Sequence, residues 1–66
     1  MITVNGEARD YRSQTIAEIV AEHGLDPERP GIAVAVNGAV MPRATWSDKR
    51  LADDDRVEIV EAKTGG

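Results

Sequence analysis

The chain closes on Gly65-Gly66, and this pair is the residue pattern with the clearest chemical use. Glycine carries no Cβ, so two in succession leave a backbone thin enough to thread a tight channel. They also leave the last carboxylate without steric cover, open to attack or activation inside another protein. The plain alternative is a disordered end, as at many termini. Other candidates for chemistry are few. The absence of cysteine excludes disulfides, thiolate zinc clusters and a thiol nucleophile. The single histidine, His23, falls by spacing on the apolar side of a helix and reads as a packing residue. Asp53-Asp54-Asp55 imitates a metal-binding run, but adjacent carboxylates alternate in direction and do not converge, so a solvated turn is expected. No metal site is expected.

The elements that carry these residues follow from local patterns. A strand starts at Met1, with Ile2 and Val4 alternating with Met1 and Thr3, and Asn5-Gly6 supplies a type I′ hairpin signal. Glu7 to Tyr11 is the return strand, with Ala8 and Tyr11 as its apolar members. Thr15 and Glu18 form a capping box. Ile16, Ile19, Val20 and His23 then fall at i, i+3, i+4 and i+7, which predicts a helix. Gly24 ends it in a left-handed conformation with Leu25 packing back. The segment from Asp26 to Gly31, with two prolines, is a loop.

Ile32 to Val36 is an unbroken apolar run, read as a central strand buried on both faces. Asn37-Gly38 is a second hairpin signal, leading into Ala39-Val40-Met41, which Pro42 closes. Arg43 to Asp55 is irregular, anchored by Trp46 and Leu51. Arg56 to Glu61 alternates as a last strand, with Val57 and Ile59 as the core pair and Val60 facing out. The predicted class is α+β, a β-grasp fold. A mixed sheet of four to five strands packs on one main helix, and its first and last strands lie parallel in the centre. Residues 1–61 form the domain, and 62–66 a mobile tail.

Composition bounds the function. A chain of 66 residues buries only about 60% of the surface its unfolded form exposes. With no Phe, one Trp and one Tyr, the core rests on Ile, Val, Leu and Ala. It leaves little room for a deep substrate pocket, which weighs against a stand-alone enzyme. A net charge of −4 disfavours nucleic acid and anionic membranes as partners. No apolar run approaches the roughly 20 residues that span a bilayer, and the N-terminus lacks the pattern of a signal peptide. A cytoplasmic protein, monomeric when free, is expected.

The stretch Ala35-Val36-Asn37-Gly38-Ala39-Val40-Met41-Pro42-Arg43, followed by Trp46 and completed by Gly65-Gly66, resembles the signature of the thiamine-pathway sulfur carriers of the ThiS type. The similarity runs the whole length from Met1. The glycine pair alone is shared with the small subunit of molybdopterin synthase and with ubiquitin-like modifiers. The segment from Asn37-Gly38 to Trp46 narrows the resemblance to the thiamine carrier. One departure is Asp54-Asp55-Arg56, where a glycine-aspartate turn is common in the family.

The resemblance implies a ubiquitin-like β-grasp domain that is a protein substrate and carrier, not an enzyme. An adenylating enzyme of the ThiF type would consume ATP to join the Gly66 carboxylate to AMP. A sulfur donor protein's persulfide would displace AMP and leave a thiocarboxylate on Gly66. A thiazole synthase of the ThiG type would take that sulfur into the thiazole ring. The carrier itself would bind no cofactor, its partners holding the magnesium-ATP site and any zinc. Gly65 and Gly66 would thread the partner's channel, where a side chain on residue 66 would collide. Val60, Arg43 and Lys63 are candidates for partner contact, on a docking surface made of the tail and the sheet face away from the helix. Trp46 reads as a packing anchor, a large burial area that a core without Phe needs. The rival destinations are carriers for molybdopterin or amino-acid synthesis. Rivals of another class are a ubiquitin-like modifier joined to lysines and an inert β-grasp interaction module.

Overall fold

A computed structural model describes residues 1–62. Its elements are β1 (Ile2–Val4), β2 (Glu7–Arg9), α1 (Ile16–Glu22), β3 (Ile32–Val36), β4 (Ala39–Val40), a 3₁₀ turn (Arg43–Thr45) and β5 (Arg56–Glu61). Among the described residues the strands form one five-stranded sheet in the order β2-β1-β5-β3-β4. β1 and β5 run parallel, and every other neighbouring pair is antiparallel. One helix covers one face. This is the β-grasp arrangement.

Local chemistry explains the turns and the helix. Asn5 and Gly6 have φ of 52° and 84°, and Asn37 and Gly38 have 53° and 85°. Both pairs therefore meet the two positive φ values of a type I′ turn, whose twist matches that of the flanking strands. At the start of α1, Thr15 Oγ1 accepts the Glu18 N–H at 3.2 Å, and Glu18 Oε1 accepts the Thr15 N–H at 2.7 Å. At its end, Gly24 donates to the Ala21 carbonyl at 3.0 Å and Leu25 to that of Val20 at 3.2 Å. Those two bonds are a Schellman motif, with Gly24 at φ 85°.

The core joins Ile16, Ile19 and Val20 of the helix to Ile2, Val4, Ile32, Val34, Val36, Val57 and Ile59 of the sheet, with Trp46 and Leu51 from the irregular segment also buried in it. Trp46 is 3% exposed and donates its indole N–H to the Met41 carbonyl at 3.0 Å. It is a packing anchor, as its size required.

Four expectations need correction. β1 begins at Ile2, leaving Met1 exposed. The return strand stops at Arg9 with all three residues exposed, and Tyr11 packs against the core from beyond it. As an edge strand whose helix-side positions are Glu7 and Arg9, β2 has no apolar face to bury. His23 is exposed: it is the helix C-cap, with ψ of 4°, so the backbone leaves helical geometry before the i+7 position reaches the core. Finally, β3 is not buried on both faces. It lies inside the sheet between β5 and β4, but along it Ala33 is exposed and Ala35 half-buried. The run is unbroken because its outward positions are alanines, not because a second layer covers them.

Candidate docking face and tail root

Gly65 and Gly66, expected to carry the chemistry, and Lys63, a candidate contact, lie outside the described residues. The structure does place the base from which they extend. β5 ends at Glu61, and the next residue, Ala62, donates its N–H to the Gly31 carbonyl at 2.6 Å. Gly31 has φ of +87°, and a Cβ there would meet the Ala62 carbonyl oxygen at 3.3 Å. The residue is therefore suited to glycine on two counts: backbone conformation and close approach.

The open face of the sheet adjoins this root. Strand parity turns Val57 and Ile59 into the core and leaves Val60 outward, 60% exposed. Register then assembles its neighbours: Ala33 pairs with Val60, and Ala35 pairs with Glu58 on one side and Val40 on the other. Val40 is 74% exposed. Two valines thus flank two small alanines, with the charged Arg56 and Glu58 along the central strand. An apolar strip with charged neighbours has the composition of a protein-contact surface.

Arg43 is placed elsewhere. Its guanidinium carbon sits 4.5 Å from the centroid of the Trp46 ring, a cation–π distance. One nitrogen donates to the Pro27 carbonyl, and the other to that of Arg29 at 2.7 Å. Arg43 thus fastens the loop after α1 to the tryptophan, and the structure does not bring it together with Val60. Sequence reasoning missed Gly31, Arg29 and Glu61. Only Gly31 carried a signal, as a glycine directly before an apolar strand.

The aspartate run forms a turn whose carboxylates hold the N-terminal amine, at 2.6 Å from Asp53 and 3.1 Å from Asp54. The hydrogen bond to Asp53, then that to Asp54, raises the amine's pKa above its ordinary value. The same contact lowers that of the Asp53 carboxyl. Among the described residues, no group of three or more His, Cys, Asp or Glu side chains could hold a metal ion.

The model of the ThiS family matches residues 2–66. The sulfur carrier protein ThiS of Thermus thermophilus is 35% identical over 66 residues, 100% of both chains. A thiazole synthase of Paramagnetospirillum magneticum is 30% identical over 66 residues, which cover 98% of this chain and 20% of that protein. Among solved structures, a crystal structure of the thiamine biosynthesis protein ThiS from Geobacter metallireducens superposes with a TM-score of 0.75 at 25% identity. It covers 98% of this chain and 97% of that one.

Proposed function

The chain belongs to the ThiS family, and on that premise we propose how it works as a sulfur carrier of thiamine biosynthesis. The observation that carries the reading is the family match, which runs unbroken through Gly65 and Gly66. A free carboxylate is a poor electrophile, since its charge is delocalised and neither oxygen leaves readily. The Gly66 carboxylate therefore attacks the α-phosphorus of ATP in an adenylating partner of the ThiF type, and pyrophosphate departs. The terminal sulfur of a donor persulfide then attacks the acyl carbon, and AMP departs with the electron pair. A thiol cleaves the resulting S–S bond, taking the donor sulfur as a disulfide and leaving a thiocarboxylate on Gly66. Thiazole synthase of the ThiG type is the acceptor. A thiazole synthase that contains a stretch similar to nearly this whole chain supports that pairing.

In this reading the protein supplies no catalytic group and binds no cofactor. Its contribution is presentation. Val60 and the open face dock on the partner, Lys63 steers the tail, and Gly65-Gly66 enter the channel without side chains to obstruct them. In this reading the protein works in the cytoplasm, where ATP is supplied to its partner, and is a monomer between encounters. No described helix is long and apolar enough to cross a membrane.

The test is pyrophosphate exchange into ATP by the adenylating enzyme encoded in the same genome. The full chain should support exchange, and a chain lacking Gly66 should not, with its thermal unfolding unchanged. Exchange that survives loss of Gly66 would show that the carboxylate activated is another one.

A further inference from the structure

Glu61 and Ala62, at the root of the tail, are each held by a contact to the rest of the domain. Beside the Ala62–Gly31 bond, Arg29 Nη1 lies 2.9 Å from Glu61 Oε2, so the last two described residues are both tied to the loop after α1. That loop is tied in turn by Arg43 through the carbonyls of Pro27 and Arg29, and Arg43 rests on the buried Trp46. One line of contacts therefore runs from the core to the tail root: Trp46, Arg43, the loop, then Glu61 and Ala62.

We propose that the loop from Asp26 to Gly31 is a collar that aims the tail, and that Arg43 is a positioning residue for loading. This rests on the carrier reading above. Four residues follow Ala62, and at up to ~3.6 Å per extended residue they reach no farther than about 14 Å. With so short a reach, the direction set at Ala62 decides whether the carboxylate meets the reacting phosphorus. A loosened root enlarges the volume the carboxylate explores and lowers the fraction of docked complexes in near-attack geometry. The guanidinium suits this task because its planar fork serves two carbonyls at once while its face stacks on an aromatic ring, which a lysine ammonium cannot do. Gly31 completes the collar, since a Cβ there would press on the Ala62 carbonyl.

The proposal predicts a split in kinetics. Arg43→Ala should lower turnover in thiocarboxylate formation about tenfold. Its KM for the adenylating enzyme should stay unchanged, because the open face is untouched. The half-exposed pair Arg29–Glu61 provides a variant that does not threaten folding. Arg29→Glu and Glu61→Arg should each lower turnover about threefold, and the double charge swap should restore it. Unchanged turnover in Arg43→Ala would overturn the proposal. So would a raised KM at constant turnover, the mark of a direct partner contact, or a charge swap that fails to rescue. A wild-type chain that accepts no sulfur would overturn the carrier reading instead. The collar is then decided on the free protein by hydrogen exchange at the Ala62 amide. About tenfold faster exchange in Arg43→Ala is expected, and equal exchange in the two proteins would refute the collar.

Discussion

The side-chain oxygen of Asn5 accepts the backbone N–H of Ile59 at 2.8 Å, across 54 positions of sequence. The parallel register between β1 and β5 runs only through Thr3–Arg56 and Val4–Val57. The asparagine side chain therefore extends the ladder beyond the point where β1 turns away. Its own N–H donates to the Val57 carbonyl at 2.9 Å, so Asn5 serves the central strand with both side chain and backbone. The same residue holds the first left-handed position of the turn.

These two roles can be separated. Asn5→Gly keeps the turn and loses the ladder bond, and should cost about 1 kcal/mol. Asn5→Ala loses the bond and strains the turn, and should cost about 2 kcal/mol. Urea unfolding measures both. A glycine variant as stable as the parent would show that the Asn5–Ile59 bond contributes nothing.

The capping box makes helix stability depend on pH. Hydrogen bonds from the Thr15 backbone, then from its side chain, hold the Glu18 carboxyl below its ordinary pKa. A carboxyl lowered on folding contributes stability that is fully present above its unfolded pKa, about 4.3, and is lost as pH falls through the folded value. The melting temperature should therefore fall more steeply on acidification below about pH 4.3 in the parent than in Glu18→Gln. Glutamine serves a capping box without titrating. Parallel pH profiles would show that Glu18 is uncoupled from folding.

Asp54 lies at φ 69°, where glycine is unstrained and a β-branched residue is not. Asp54→Gly should leave stability within about 0.5 kcal/mol, and Asp54→Val should cost about 1–2 kcal/mol. Equal stabilities for the valine and glycine variants would mean that the turn relaxes freely. The neighbouring Asp55 is held differently. Its carboxylate accepts the Ala52 N–H at 2.8 Å and the Asn37 side-chain amide at 3.0 Å, joining this turn to the second hairpin.

Val60→Asp tests the docking face. The side chain is 60% exposed, so melting should shift little. Capture by the adenylating enzyme should weaken about tenfold, read as a raised KM at constant turnover. An unchanged KM would move the docking surface off this strip. The expected pattern is the converse of that for Arg43→Ala.

What the sequence made legible was local. The Thr15–Glu18 box, the Schellman glycine and both Asn-Gly turns depend on neighbours within six residues, and each formed as read. Parity along the last strand placed Val57, Ile59 and Val60 on their proper faces. The departure from the family pattern at Asp54-Asp55-Arg56 falls in a turn, as read, with Asp54 at a positive φ. What was not legible depended on distant groups. An alanine on an open face and an alanine under a second layer look alike in sequence, so β3 was read as buried on both faces when only one is covered. His23 kept helical spacing after the helix had ended. The collar was invisible because its acceptors are the carbonyls of Pro27, Arg29 and Gly31, which any residue supplies.

The most direct test of the account is the intact mass of the protein after incubation with the ThiF-type adenylating enzyme, magnesium-ATP and a persulfide source. The account predicts a gain equal to one oxygen exchanged for one sulfur, localised to the C-terminal peptide and absent when Gly66 is deleted. An unchanged mass, with the same enzyme shown to load another carrier, would contradict it and leave a β-grasp interaction module without sulfur chemistry.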